Sequence, residues 1–367
     1  MLIIPTIMCG GAGTRLWPAS RESLPKHLLA MFDGLSTFQR TVTRFQGDPA
    51  FGRPVVITGA DSRFLIGEQL AAIGAEADIV LEPSRQDSAA AVATGALHLS
   101  RQYPDALCLM LAADHLIHDT AGFRASAIEA GRAAARGFIM TLGIQPTQPA
   151  TGYGYLACGE PIPGTVSFRL KAFREKPDAA TAAAYIGSGY LWNSGNFLFQ
   201  PGVMLAELAL YAPAVLVAAT GAYDKATRDA DFIRLDAETF RTAPKISIDF
   251  AVMEKTTKAG VTPYASDWSD IGTWDALWEA SPQDEAANVI SGDVTAIGVN
   301  RSLIQSDGTL TAVVGLDDVV VVATKDAVLV TSRARSAGVK DLVTQLRKDG
   351  RKEADEHNRM CRPWGWY

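Results

Sequence analysis

The sequence predicts an α/β protein in which a mainly parallel mixed sheet flanked by helices is followed by a small β-rich domain. Three observations carry this reading. Short apolar runs rich in Val, Ile or Leu recur through the first half, at residues 2–9, 54–58, 77–81, 106–112 and 138–143. Longer stretches with helical spacing, such as 88–101 and 122–136, lie between them. Strands alternating with helices of this length indicate βαβ units. After Ser281-Pro282 the pattern changes to closely spaced Val-rich runs separated by Gly, Asp and Asn, which read as an all-β domain, a β-helix or a sandwich.

Taken in order, the first run ends in Gly10-Gly11-Ala12-Gly13-Thr14-Arg15-Leu16-Trp17-Pro18. Successive small residues after a strand expose backbone N–H groups, which suits phosphate. Arg15 adds a fork of donors and Lys26, in Pro25-Lys26, a mobile point charge. The loop is not a mononucleotide P-loop, because it ends Gly-Thr-Arg and not Gly-Lys-Ser/Thr. It is not a dinucleotide fingerprint either, because no glycine stands at the third position of that pattern and Pro18 blocks the following helix.

The fourth run leads into Ala113-Asp114-His115. Ligands of such sheets bind at the carboxyl ends of strands, and a lone carboxylate beside a phosphate loop suits magnesium. The pair His115 and His118 lacks a neighbouring Cys or a third clear ligand, which argues against zinc. From about residue 151 to 281 the rhythm is less regular and polar motifs cluster. Phe173-Arg174-Glu175-Lys176-Pro177 ends a strand with an acid and a base, the ordinary composition of a surface ion pair before a turn. Trp192-Asn193-Ser194-Gly195-Asn196-Phe197 sets amides among apolar residues, and such amides bond either within a core or to a hydroxyl-rich ligand. Asp270 offers a second carboxylate, or else an N-cap for a helix over 273–279.

Short strands are expected at 288–290, 293–299, 311–314, 319–323 and 327–331, and a charged helix at 339–348. The chain divides accordingly into 1–281, a β-rich and β-helix-like 282–335, and a helix with tail at 336–367. The apolar edges of the middle part would gain from pairing with a second subunit, so a homodimer is expected.

Composition bounds the rest. A chain of 367 residues, 48% of them hydrophobic, can bury one large core and a smaller one. A net charge of −6 argues against nucleic acid as the main partner, so any phosphate must be met by a local positive site. The four cysteines include no CxxC pair, and Cys9, Cys108 and Cys158 sit in apolar runs as small hydrophobes, which suits a reducing compartment. The apolar start is too short to span a membrane and lacks the basic flank of a signal peptide. Ile7-Met8-Cys9-Gly10 has the outline of a lipoprotein cleavage site without that flank. No membrane association and a cytoplasmic location are expected.

The glycine loop, Pro25-Lys26, Ala113-Asp114-His115, Gly152-Tyr153-Gly154-Tyr155, the Glu-Lys-Pro and Trp-Asn-Ser-Gly motifs, Ser247-Ile248-Asp249-Phe250-Ala251-Val252-Met253-Glu254-Lys255 and Asp270-Ile271-Gly272-Thr273-Trp274 occur in this order along the chain. Together they resemble the mannose-1-phosphate guanylyltransferases, a branch of the sugar-phosphate nucleotidyltransferases. The resemblance implies a Rossmann-like nucleotidyltransferase domain that transfers GMP from GTP to α-mannose 1-phosphate and releases pyrophosphate. It implies that Gly10, Gly11, Gly13, Thr14, Arg15, Asp87, Ser88 and Asp114 bind the nucleotide. Arg15, Lys26, Asp114 and Asp270 would be catalytic, with Asp114 and Asp270 holding magnesium. Gly154, Glu175, Lys176, Asn193 and Asn196 would bind the sugar phosphate.

Two departures from the family pattern stand out. His27 takes the place of the Gln that usually follows Pro-Lys. Gln86-Asp87-Ser88-Ala89-Ala90-Ala91 takes the place of Arg-Asn-Thr-Ala-Pro-Ala, a run expected near guanine, where Asp87 can accept from N1–H and N2–H.

Three other functions compete. A transferase for another hexose 1-phosphate shares the first loop. A non-catalytic GDP-mannose-binding regulator would be expected to lose site charges, and Arg15, Lys26, Asp114, Glu175, Lys176 and Asp270 are all retained. A hydride-transferring dehydrogenase is weakest, because the glycine spacing is wrong. The final Arg362-Pro363-Trp364-Gly365-Trp366-Tyr367 resembles the start of the phosphomannose isomerase domain fused to some family members. The expectation is that this polypeptide has no isomerase activity and no need of zinc, and that its terminal aromatics pack on its own surface or a partner's.

Overall fold

A computed structural model describes residues 1–357 apart from Ala12 and Ser266, and the backbone of Cys361–Arg362 and Gly365–Trp366. The expectation about Trp364, Trp366 and Tyr367 lies outside the described residues.

The main sheet is built from β1 (Ile3–Cys9), β2 (Val55–Gly59), β3 (Asp78–Glu82), β4 (Leu107–Ala112), β5 (Ile139–Ile144), β6 (Tyr155–Pro161), β7 (Phe168–Arg174), β8 (Leu191–Phe199), β9 (Thr227–Asp229), β10 (Phe232–Arg234) and β11 (Ala259–Tyr264). Their spatial order is β9-β10-β3-β2-β1-β4-β8-β5-β11-β7-β6. From β10 to β4 every pairing is parallel. Beyond β4, β8 runs antiparallel to both neighbours and β7 to both of its own. The parallel expectation therefore describes the first half of the sheet, and the later strands make the whole mixed.

Residues such as Ile3, Ile4 and Ile7 are fully buried in β1, as a strand covered by helices on both faces requires. One face carries the alanine-rich α1 (Asp87–Gln102), backed by helices Pro201–Tyr211 and Pro213–Asp224. The other carries α2 (Thr120–Ala134), capped by Asp119 accepting from Gly122 N, with helices Thr37–Thr43 and Arg63–Ala72.

A third core joins the two domains. Leu16, Trp17, Ile271, Trp274 and Leu277 from the first pack with Leu303, Val320, Val322, Leu329 and Val339 from the second. Trp274 lies on α3 (Trp274–Ala280), is fully buried, and donates its Nε1–H to Trp17 O at 3.0 Å.

The second domain contains β12 (Val289–Ser291), β13 (Val294–Ile297), β14 (Leu303–Ser306), β15 (Thr311–Val314), β16 (Val319–Ala323) and β17 (Val328–Ser332). β12, β14 and β16 form one parallel ladder, closed by antiparallel β17, and β13 pairs in parallel with β15. Val299, Ile304, Val313 and Val321 fill the space between the two ladders. This is the stacked-coil arrangement of a β-helix. β14 was not among the expected strands, because Arg301-Ser302 before it and Gln305-Ser306 within it dilute its apolar run. The charged α4 (Val339–Lys348) follows as expected. Among the described residues, no helix is long and apolar enough to cross a membrane.

Candidate active site

The chain leaves β1 through Gly10 and Gly11, passes Gly13 in the left-handed region (φ 63°), and forms a short helical turn over Thr14–Leu16. A Cβ built on Gly13 would lie 2.6 Å from Lys26 Cγ. The loop therefore rests directly on the lysine stem, and only glycine permits that approach. Gly10, Gly11, Gly13, Arg15, Lys26, Asp114 and Gly272 line one cleft of about 140 Å³. Three of the four expected catalytic side chains thus share a cavity with the glycine loop.

The fourth, Asp270, is brought in by a two-stranded ribbon. Strand Trp268–Ser269 pairs antiparallel with Leu116–Ile117, with Ser269 opposite Leu116. That register sets Asp270 and Ile271 beside Asp114 and His115. Lys26 closes the junction. Its Nζ lies 2.9 Å from Asp114 Oδ2 and donates to Asp270 O at 2.6 Å and Ile271 O at 3.3 Å. Burial acts to raise the Asp114 carboxyl, but Lys26, His115 and His27 outweigh it and hold the group well below the usual carboxylate range.

Asp270 Oδ1 accepts from Tyr153 Oη at 3.0 Å and from Gly272 N at 3.1 Å. The N-cap role considered for Asp270 belongs instead to Thr273, whose Oγ1 accepts from Ala276 N. The carboxylate is thereby left for the cleft. A Cβ on Gly272 would meet Asp270 Oδ2 at 3.1 Å and Arg15 Nη1 at 3.2 Å, so the guanidinium and the carboxylate flank the same point.

Strand registers bring together most of the residues expected to bind the sugar phosphate. Arg174 is opposite Tyr155 across β7 and β6, and Trp192 is opposite Tyr155 across β8 and β6. One step onward, Glu175, Gly154 and Asn193 stand side by side. Asn193 N donates to Gly154 O at 2.8 Å, and a Cβ on Gly154 would lie 2.6 Å from Glu175 Oε2 and 3.3 Å from Asn193 Cβ. Lys176 Nζ is 2.5 Å from Glu175 Oε1, on a largely exposed stem.

Asn196 does not join them. It is 2% exposed, and its Nδ2 donates to Ser194 O at 3.4 Å. Asn196 stands three residues from Asn193, an odd step that strand alternation turns to the opposite face, and the irregularity at Gly195 (φ 70°) falls between the two.

Of the residues expected to bind the nucleotide, Asp87 opens α1 at φ 65°, and its Oδ1 accepts from Ser88 N at 2.7 Å. Ser88 Oγ accepts from Ile248 N at 2.9 Å, so this hydroxyl is also a latch to a distant segment.

Sequence reasoning gave no role to Tyr153, Asp249 or Glu82. Tyr153 and Asp249 lie inside quoted motifs, so their positions were visible. Glu82 ends an apolar strand before Pro83, the same signal that singled out Asp114. Its Oε1 is buried without a partner, and burial pushes the carboxyl up to about 8. His27, the departure after Pro-Lys, is 1% exposed with neither ring nitrogen partnered. Burial first, and then the neighbouring Lys26 and Arg85, outweigh the pull of Asp114 and lower it to about 4.

Comparison with known proteins places these features in context. The profile of the nucleotidyl transferase family matches residues 4–287, and that of the MannoseP isomerase/GMP-like beta-helix domain matches residues 292–346. The chain is 44% identical over 367 residues to the xanthan biosynthesis protein XanB of Xanthomonas campestris pv. campestris, covering 100% of this chain and 78% of that protein. It is 42% identical over 372 residues to a mannose-1-phosphate guanylyltransferase of Escherichia coli K12, again covering 100% and 78%. Among solved structures, a mannose-1-phosphate geranyltransferase from Thermus thermophilus superimposes with a TM-score of 0.84 at 30% identity, over 95% of this chain and 100% of that one.

Proposed function

Because the chain belongs to the mannose-1-phosphate guanylyltransferases of the nucleotidyl transferase family, we propose that it transfers GMP from GTP to α-mannose 1-phosphate, forming GDP-mannose and pyrophosphate. The observation that carries the proposal is the position of Lys26. One ammonium joins Asp114 to the Asp270 backbone beside a glycine loop and Arg15.

An oxygen of the sugar phosphate attacks the α-phosphorus of GTP. The bond from that phosphorus to the α–β bridging oxygen breaks, and pyrophosphate leaves with the electron pair. No covalent enzyme intermediate is required, so the chain's work is positioning and charge compensation. The N–H groups of the glycine loop hold the triphosphate, Arg15 offsets charge on the departing pyrophosphate, and Lys26 stands at the junction of the reacting phosphates. Gly154 offers its backbone and Glu175 and Asn193 grip ring hydroxyls. Lys176, on its exposed stem, swings from Glu175 to the sugar phosphate. Asp87 and Ser88 lie on the base side.

Asp114 and Asp270 fit a magnesium ion. Both are hard oxygen donors, and Asp270 is fixed through its Oδ1 by Tyr153 and Gly272. Among the described residues, no group of three or more His, Cys, Asp and Glu could hold a metal by itself. Magnesium ordinarily takes one or two carboxylates and completes its shell with water and phosphate. When bound, it would neutralise charge shared between nucleotide and sugar phosphate.

The free thiols of Cys9, Cys108 and Cys158 suit the cytoplasm. We also assign the β-helix to homodimer formation. Ile297 and Val314 are neighbours in the β13–β15 ladder and are 62% and 68% exposed, and such an apolar edge favours pairing. The direct test of function is release of pyrophosphate from GTP that depends on mannose 1-phosphate, with GDP-mannose as the second product.

A further inference from the structure

Building on the sugar 1-phosphate transfer proposed above, we propose that Asp249 determines sugar specificity. With Glu175 it forms a pair of carboxyls that accepts two neighbouring ring hydroxyls, and the Ser88–Ile248 bond sets its position.

The placement is geometric. Asp249 opens a π-helical turn, Asp249–Met253, and such turns concentrate at functional sites. Its Oδ1 accepts from Asn193 Nδ2 at 3.2 Å. The Asn193 amide is oriented from its other end, where Oδ1 accepts from Thr141 Oγ1 at 2.8 Å and Gly195 N at 3.1 Å. Its NH₂ group therefore faces Asp249. Asn193 also stands against Gly154, beside Glu175, so Asp249 is a second acid in the same cluster of side chains.

Charge selects the ligand chemistry. Glu175 and Asp249 share one ammonium, Lys176, which already sits on Glu175 Oε1. Glu254 adds a further carboxylate by accepting from Glu175 N at 3.3 Å, and Asp87 also acts on Lys176. A surplus of acids repels phosphate and accepts from hydroxyl groups on an uncharged ring. Burial and then the Glu175 carboxylate push Asp249 up to about 7, against Lys176 and the Ser247 hydroxyl. Donors on a ligand would relieve that unfavourable pairing.

Position comes from the nucleotide side. Ser88 Oγ accepts from Ile248 N at 2.9 Å and Ala89 N donates to Ile246 O at 3.2 Å. The first turn of α1 thus fixes the residues immediately before Asp249. Two carboxyls held in one cluster read the relative orientation of adjacent hydroxyls, which is what differs between mannose and its C2 epimer, glucose. A site built to bond a hydroxyl rejects a ring that presents it wrongly, because its acceptors are left unpaired.

The test is steady-state kinetics of the full chain with GTP and either mannose 1-phosphate or glucose 1-phosphate. Asp249→Asn should raise KM for mannose 1-phosphate about tenfold or more, as loss of a charged hydrogen bond implies. KM for GTP and kcat should change less than about threefold, and the preference for mannose should narrow with the sugar KM. Ser88→Ala should shift the sugar KM in the same direction, and Ser88→Thr should restore it. An unchanged sugar KM and preference in a folded Asp249→Asn enzyme would overturn the proposal, as would equal rises in both KM values. If that variant does not fold, the ratio of the mannose 1-phosphate to the glucose 1-phosphate KM in the Ser88 pair decides, because a change on the base side moves both sugars alike; an unchanged ratio in Ser88→Ala overturns the proposal. A wild type that ignores mannose 1-phosphate overturns the parent reading instead, and Asp249 is then judged by the same ratio on the hexose 1-phosphate it does use.

Discussion

Arg21 and Asp326 meet through two bonds of 2.6 Å, from Nη1 to Oδ2 and from Nη2 to Oδ1. Arg21 is fully buried, and it also donates to Pro18 O at 3.1 Å and to Glu356 O. Arg21 lies between the glycine loop and Lys26, whereas Asp326 belongs to the β-helix and Glu356 to the segment after α4. Trp17 Nε1 adds a bond to Glu353 O at 2.8 Å. The second domain therefore buttresses the loop that carries the candidate catalytic cations.

Breaking that pair should be costly, because one partner would remain charged and buried. Arg21→Ala is expected to lose about 3 kcal/mol or more of stability near neutral pH. Burial acts to raise the Asp326 carboxyl, but hydrogen bonds from Arg21 and Thr324 outweigh it and hold it below its usual value. The folded chain then binds fewer protons than the unfolded one. This contribution is present above about pH 4 and fades as pH falls through the lower folded value. Urea unfolding of wild type and variant from pH 7 to pH 3 should show the gap closing in acid. A gap independent of pH would contradict the assignment.

Glu82 gives the opposite sign. Its folded carboxyl, raised to about 8 by burial, keeps a proton that the unfolded chain releases above about pH 4.3. Stability should fall as pH rises from that point to about 8. Glu82→Gln is expected to melt several degrees above wild type at pH 8.5 and to show little difference at pH 5. Thermal melts in the two buffers check this.

Gly154→Ala places a Cβ 2.6 Å from Glu175 Oε2. The fold should survive, because the clash falls on a side-chain end at the cleft. Turnover at low mannose 1-phosphate should drop at least about tenfold while GTP binding is retained. Calorimetry with GTP beside kinetics in the sugar phosphate separates the two effects.

Divalent metal should be required. Chelation is expected to abolish turnover and magnesium to restore it. Asp114→Asn and Asp270→Asn should each keep the fold and lose about a hundredfold or more in rate. Full activity of Asp114→Asn in magnesium buffer would remove it from the reaction.

Much of this arrangement was legible in the sequence, for physical reasons. The parallel half of the sheet announces itself through continuous apolar strands, because helices cover both faces. The glycine loop and Asp114 sit at strand ends, and Lys26 opens a short helical turn soon after the loop, where a local pattern suffices. The meeting of Asp270 with Asp114 depends on a two-residue ribbon, and that of Gly154, Glu175 and Asn193 on cross-strand register. Neither leaves a local signal. Asn196 was grouped with Asn193 from the composition of the motif, although an odd step of three along a strand turns the two side chains to opposite faces. Asp249 was quoted within a motif, but its role required the Ser88–Ile248 contact across 160 positions. The Arg21–Asp326 pair joins residues 305 positions apart, and nothing near either one announces the other.

The most direct test of the central claim is pyrophosphate release by the purified chain with mannose 1-phosphate, measured separately with GTP, ATP, CTP, UTP and dTTP in magnesium buffer. The account predicts release with GTP at a rate well above every other nucleotide, dependent on mannose 1-phosphate and accompanied by equal formation of GDP-mannose. Faster release with a pyrimidine nucleotide, or none with any nucleotide while GDP-mannose still binds, would contradict it.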